Sequence, residues 1–377
     1  MKGYQFEDTQ GTFHLKKAEN ISYLYFPIAG EAGLKSSFTP NLGGDAKIDQ
    51  NTFLLEPVSA ENLVNNRNSR NFWCNVKGIG SWSLTGHSAE ELSKKFTEMQ
   101  DDSEVTAGFM WQKTTRESKK YQLRGEILSF IPVDKNVEIM LVTITNTGRM
   151  AQTVTPTAAI PLYGRSADNI RDHRHVTSLL HRIETTDTGV LVTPTLSFDE
   201  RGHQVNHMTY YCVGWSGNGE KPVDFYPTAE DFVGEGGNFE RPYAIVKNAE
   251  GVKAGTKIEG LEAVGGLHFS EITLEPEEEC SYLIFTGITE DIQEIRNLSK
   301  TYTTREKVLE ELEKTKAYWQ EKVNVAYHTG DSDFNQFMHW VSFQPILRRI
   351  YGCSFLPHHD YDAELAGVIS GRIVWHF

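Results

Sequence analysis

A chain of 377 residues with 39% hydrophobic and 11% aromatic content can bury a large core, and at least two structural units are expected. Its net charge of -14 comes without a basic block, which argues against nucleic acid or an anionic membrane as a partner, because both need clustered Lys and Arg. The four scattered cysteines, Cys74, Cys212, Cys280 and Cys353, form no Cys-x-x-Cys pair, the amino terminus lacks a signal-peptide core, and no apolar run is long enough to span a membrane. Reduced thiols in a cytoplasmic protein are the expectation.

From residue 4 to about 289 the sequence reads as short strands separated by turns. Candidate strands cover 22–26, 52–55, 137–146, 189–193, 207–215, 266–274 and 281–285. Asn146-Thr-Gly148, Asp187-Thr-Gly189 and Gly217-Asn-Gly219 punctuate them. So many strands with few helical patterns between them predict a mainly β protein built on a large antiparallel β-sandwich.

At Thr289 the period changes. Ile292, Ile295 and Leu298 are spaced for a short helix. Thr303 or Thr304 can cap a longer one carrying Val308, Leu312, Thr315, Trp319 and Val323 on one stripe, with a charged, solvated opposite face. After the break at 329–333, Phe337, Trp340, Val341, Gln344, Leu347 and Ile350 or Tyr351 recur at helical spacing over 334–351. The division expected is 1–289 sandwich, 290–326 helical linker, 327–361 the start of a further helical domain, and 362–377 a separate tail.

Three polar groups stand out. Arg348 and Arg349 end the last helix, where a guanidinium can grip an anion bidentately or pair with a carboxylate. The run 168–175, with His173, Arg174 and His175, is dense in imidazole and guanidinium for an inter-strand segment, and is either a functional arm or a solvated loop. Neither it nor His358-His359-Asp360 has the ligand spacing of a strong zinc site, and no metal is expected. Trp73, Trp82 and Trp111 fit core positions or sugar-stacking platforms.

Several segments carry a resemblance. Gly43-Gly-Asp-Ala-Lys-Ile-Asp-Gln-Asn-Thr-Phe-Leu-Leu-Glu-Pro-Val-Ser59, Asn71-Phe-Trp73, Tyr163-Gly-Arg-Ser-Ala-Asp-Asn-Ile-Arg-Asp-His-Arg-His-Val176 and the run from Trp340 to His359-Asp360-Tyr361 are similar to the disaccharide phosphorylases of glycoside hydrolase family 94. The resemblance implies a mutarotase-like β-supersandwich, a helical linker and the first helix of an (α/α)6 barrel. It implies inverting phosphorolysis of a β-glucosyl disaccharide such as cellobiose or laminaribiose, giving α-glucose 1-phosphate, with inorganic phosphate as co-substrate and no cofactor.

One carboxylic acid protonates the leaving oxygen in such a reaction, and phosphate serves as the nucleophile. The family's acid would lie beyond residue 377, so the chain by itself is expected to be inactive. Arg348 or Arg349 matches a phosphate contact, and Arg174 best matches an arm residue that reaches the partner subunit's sugar site in a homodimer. A non-catalytic carbohydrate-binding or dimerisation module and a hydrolase with the same plan are the alternatives.

Residues 362–377 depart from the family, which continues with Gly-Arg-Gly and then Trp-Arg-Asp-Leu-Trp-Gln-Asp. Codons for this tail, shifted by one base, can spell Arg-Gly-x-Gly-Trp-Arg-Asp-Leu-Trp-Gln-Asp. A frameshifted gene or a sequencing error is the expectation, and DNA across the Tyr361 codon distinguishes the two.

Overall fold

The computed structural model describes residues 4–21, 25–58, 69–172, 174–199 and 202–352. Among them, an eleven-stranded antiparallel sheet faces a six-stranded one. The large sheet runs, in spatial order, Tyr4–Phe6, Phe13–Lys16, Asp102–Gly108, Trp111–Ser118, Leu123–Phe130, Val137–Asn146, Glu279–Thr289, Thr209–Ser216, Gly189–Val192, Arg182–Thr185 and Lys257–Glu259. The smaller sheet includes Asn71–Val76, Gln152–Leu162 and Ala263–His268, and a four-stranded sheet from Phe26–Ala29 to Phe53–Leu55 packs beside them. The mainly β, supersandwich expectation is met.

The central strand Val137–Asn146 is buried at every position. Its inner side meets the second sheet, where Met140, Val142 and Ile144 join Phe72, Val76 and Ile160. Its outer side, with Val137, Ile139 and Leu141, is covered by helices. Burial on both faces explains why residues 139–142 are apolar without alternation.

Strand Trp111–Ser118 escapes a hydropathy reading because its inward positions are polar. Gln112, Thr114, Arg116 and Ser118 all point inward on one strand and are buried. The candidate strand 266–274 is two strands, Ala263–His268 and Ile272–Leu274, and residues 22–24 of another lie outside the described residues.

Helices α1 (Ile292–Thr301), α2 (Arg305–Lys322) and α3 (Ser332–Tyr351) follow the last strand. On α1, Ile295 and Leu298 are buried, while Ile292 stays exposed. Trp215 stacks on Phe285 at 4.7 Å and donates from Nε1 to the Tyr302 carbonyl at 3.0 Å, closing the turn between α1 and α2. On α2, Val308, Leu312, Thr315 and Trp319 form the buried stripe that the spacing predicts. Thr304 occupies the cap position, but its side chain makes no capping bond.

α3 differs in phase from the expectation. Its sandwich face is Gln336, Phe343, Leu347 and Tyr351 with half-buried Trp340, whereas Phe334, Phe337 and Val341 are exposed. The helix is apolar on two sides, and period alone does not say which side docks. The β-hairpin turn Phe109-Met110 decides it: Phe109 stacks on Phe343 at 4.5 Å and meets Trp340 edge-on at 4.7 Å. Gly11 locks the same place, donating its N–H to Gln336 Oε1 at 3.0 Å and accepting from Trp340 Nε1 at 2.7 Å.

Phe109→Ala empties the centre of this aromatic contact. A loss of about 3–5 kcal/mol of unfolding free energy in denaturant titration is expected, and a loss under about 1 kcal/mol would show that α3 does not depend on the hairpin.

Candidate functional site

Two of the family-like segments meet. Phe53 and Arg165 form an isolated bridge, Tyr163 N donates to Leu54 O at 2.8 Å, Gly164 N to Phe53 O at 3.1 Å, and Ala167 N to Gln50 O at 2.8 Å. The second residue of the first segment is a glycine that nothing can replace: Gly44 has φ +153°, and a Cβ there would sit 1.9 Å from the Ser37 carbonyl oxygen.

Beneath that turn lies Arg70, with no exposed surface. Its guanidinium donates to Gly44 O at 2.9 Å and Asp45 O at 3.3 Å, lies 4.9 Å from the Phe38 ring, and forms a two-pronged pair with the carboxylate of Glu138, which is equally buried. Ser36 donates to the same carboxylate at 2.5 Å. Every strong group in this cluster has a partner, as a buried charge pair requires.

The second segment holds Arg165, whose Nη2 donates to Glu262 at 2.7 Å while the guanidinium lies 5.2 Å from the Tyr163 ring. Glu56, Tyr163, Phe239 and Glu262 line a cavity of about 10 Å³, room for a single water. His181 is buried beside them, and burial, then the Arg165 charge, lowers its pKa to about 3. Arg174 opens the one-turn helix Arg174–Ser178; its side chain and that of His175 lie outside the described residues, as does all of His173.

At the end of α3 the two candidate arginines part. Arg349 grips Glu31 with both nitrogens, at 2.9 and 2.6 Å, and Tyr318 donates to the same carboxylate at 2.9 Å. These hydrogen bonds, Arg349's foremost, lower the Glu31 pKa and raise that of Arg349. Arg348 is exposed, and its side chain makes no ion pair or hydrogen bond among the described residues.

The helix end is itself fastened. Lys35 Nζ donates to Ile350 O at 2.9 Å, and the Tyr351 hydroxyl lies 2.9 Å from Ile28 O and 2.6 Å from Ser36 O as their donor. Burial, then the Lys47 charge, lowers the Lys35 pKa. Sequence reasoning passed over Glu31, Lys35 and Arg70, because Arg349, the Ile350 carbonyl and Glu138, which hold them, lie 318, 315 and 68 residues away.

Trp73 and Trp82 are core residues, and Trp82 donates to Asp101 at 2.8 Å. Trp111 is half-buried under Lys316, whose Nζ lies 4.4 Å from the ring centre. Among the described residues no group of three or more His, Cys, Asp and Glu is placed to hold a metal ion, and no helix is long and apolar enough to cross a membrane. Cys353, Phe355, His358, His359, Asp360, Tyr361 and the tail 362–377 lie outside the described residues.

The fold is thus a β-supersandwich with three helices laid against it. Residues 55–305 match the family model for the glycosyl hydrolase 94 supersandwich domain, and the chain belongs to that family. No curated protein matches it.

Among solved structures it is similar to a putative aldose 1-epimerase from Escherichia coli K12 (9% identity, 71% of this chain and 99% of that chain, TM-score 0.38). It is also similar to a bacterial glucoamylase complexed with acarbose (10% identity, 90% of this chain and 41% of that chain, TM-score 0.42). A family GH92 α-mannosidase from Bacteroides thetaiotaomicron is a third (11% identity, 90% of this chain and 38% of that chain, TM-score 0.41). The chain therefore spans less than half the length of the last two.

Arg70→Met strands the Glu138 carboxylate in the core, and a loss of about 3–5 kcal/mol is expected in denaturant unfolding. The double change Arg70→Met with Glu138→Leu recovers part of it; equal losses in single and double variants would show that the pair is not the cause. His181 supplies a pH dependence. Its folded pKa lies below the unfolded value near 6.5, so the unfolded state binds a proton first, and stability falls as pH drops from about 6.5 towards 3. His181→Asn should remove about 2 kcal/mol from the stability difference between pH 7 and pH 5, and an unchanged difference would contradict the burial argument.

Proposed function

We propose that this chain is the sandwich and linker portion of an inverting glycoside phosphorylase that cleaves a β-glucosyl disaccharide with inorganic phosphate. The observation that carries the reading is membership of the glycosyl hydrolase 94 family over residues 55–305. In the proposed reaction a phosphate oxygen attacks the anomeric carbon, the glycosidic C–O bond breaks, and an acid delivers its proton to the leaving oxygen. α-Glucose 1-phosphate and the shortened sugar result.

Residues 1–289 are the sandwich, 290–326 the linker, and 327–361 the start of the barrel in this reading. Arg349 is committed to Glu31, which leaves Arg348 as the phosphate contact. Arg174 reaches the partner subunit's sugar site in a homodimer, and the protein works in the cytoplasm with no cofactor. In this reading the chain alone is inactive: the cavity beside Glu56 and Glu262 has room only for water, and Lys221, at a larger cavity, is held by Asp187.

Incubating the purified chain with cellobiose or laminaribiose and phosphate tests this. No α-glucose 1-phosphate should form, and its release would refute the claim of inactivity. Release of glucose irrespective of phosphate would favour a hydrolase instead.

A further inference from the structure

At one end of the sandwich, where Thr209–Ser216 finishes and Glu279–Thr289 begins, a cavity of about 340 Å³ opens. That is the lower end of the range for small-molecule sites. Its floor is Phe269 and Tyr282, with ring centres 4.6 Å apart. Ser216, Asn218, Ser270 and Ser281 give it hydroxyl and amide groups, and Glu220 and Glu278 give it carboxylates. Gly217 keeps one wall close, since a Cβ there would meet Ser281 Oγ at 2.1 Å.

The charges select the ligand. Lys221, the basic side chain in the lining, is held by Asp187. Glu271 and Glu279, which also line the cavity, pair with Lys77 and Arg305 at 3.2 and 2.7 Å. Glu220 has no cation partner among the described residues, and Glu278 accepts the N–H of Glu275 at 2.8 Å. Acceptors are in surplus, so a ligand must bring donors. Hydroxyls suit carboxylate acceptors, an ammonium suits them better, and a phosphate is repelled.

We propose that this cavity binds a monosaccharide-sized polyol, preferring an amino sugar to its neutral counterpart and rejecting a sugar phosphate. It is separate from the end of α3. Arg305 begins α2 at the cavity, and Trp319, in the cluster beneath α3, lies 14 residues further along α2, a rise of about 21 Å. The inference stands whether or not the chain is part of a phosphorylase.

Calorimetric titration of the full chain with glucosamine, glucose and glucose 6-phosphate tests it. Saturable binding in that order of strength is expected, with the phosphate ester not binding. The double substitution Glu220→Gln with Glu278→Gln, and separately the cavity-filling Ser270→Trp, alter exposed residues and should each weaken glucosamine at least about tenfold with no change in circular dichroism. Absence of saturable binding, glucose 6-phosphate binding as tightly as glucosamine, or variants that bind like the parent would each overturn the assignment.

Discussion

Arg70 and Glu138 are both without exposed surface, and a charge in that position persists only with its partner and with hydrogen bonds around it. What surrounds this pair spans the molecule. Glu138 belongs to the central strand of the large sheet, and Ser36, which donates to it, lends its carbonyl to Tyr351 at the end of α3. Arg70 meanwhile holds the carbonyls of the turn around Gly44. Sheet, family-like turn and α3 are therefore tied through one buried ion pair, and the turn can neither move nor lose its glycine without disturbing the groups that hold that pair.

The helices complete the same construction. The central strands of the large sheet carry apolar residues on their outer side that need a cover, and α1 and α2 provide it through Ile295, Leu298, Val308 and Leu312. α3 instead sits across the hairpin turn at Phe109 and Met110, where aromatic edges and the two bonds to Gly11 set its rotation. Its exposed side, Phe334, Phe337 and Val341, is the side the hairpin does not reach.

Much of this was legible in the sequence where a regular period met a single face. The α2 stripe from Val308 to Trp319 packs on one surface, and its spacing alone placed it. The strand at 137–146 announced itself by β-branched content. Legibility failed where burial was polar or where two faces competed: the inward Gln112, Thr114 and Arg116 disguised a strand, and the two apolar sides of α3 hid its phase. The candidate site was legible only as residue types. That Arg349 is taken by Glu31 and Arg348 is not depends on a contact across 318 positions, which no local pattern encodes.

Amide hydrogen exchange across α3 bears most directly on the claim that this helix is built into the sandwich rather than appended to it. Amides from Gln336 to Tyr351 should exchange with an opening free energy close to that of the central strand Val137–Asn146, because both belong to the unit held by Arg70, Glu138 and Tyr351. Rapid exchange of α3, at the rate of a fraying helix while the central strand remains protected, would contradict the account.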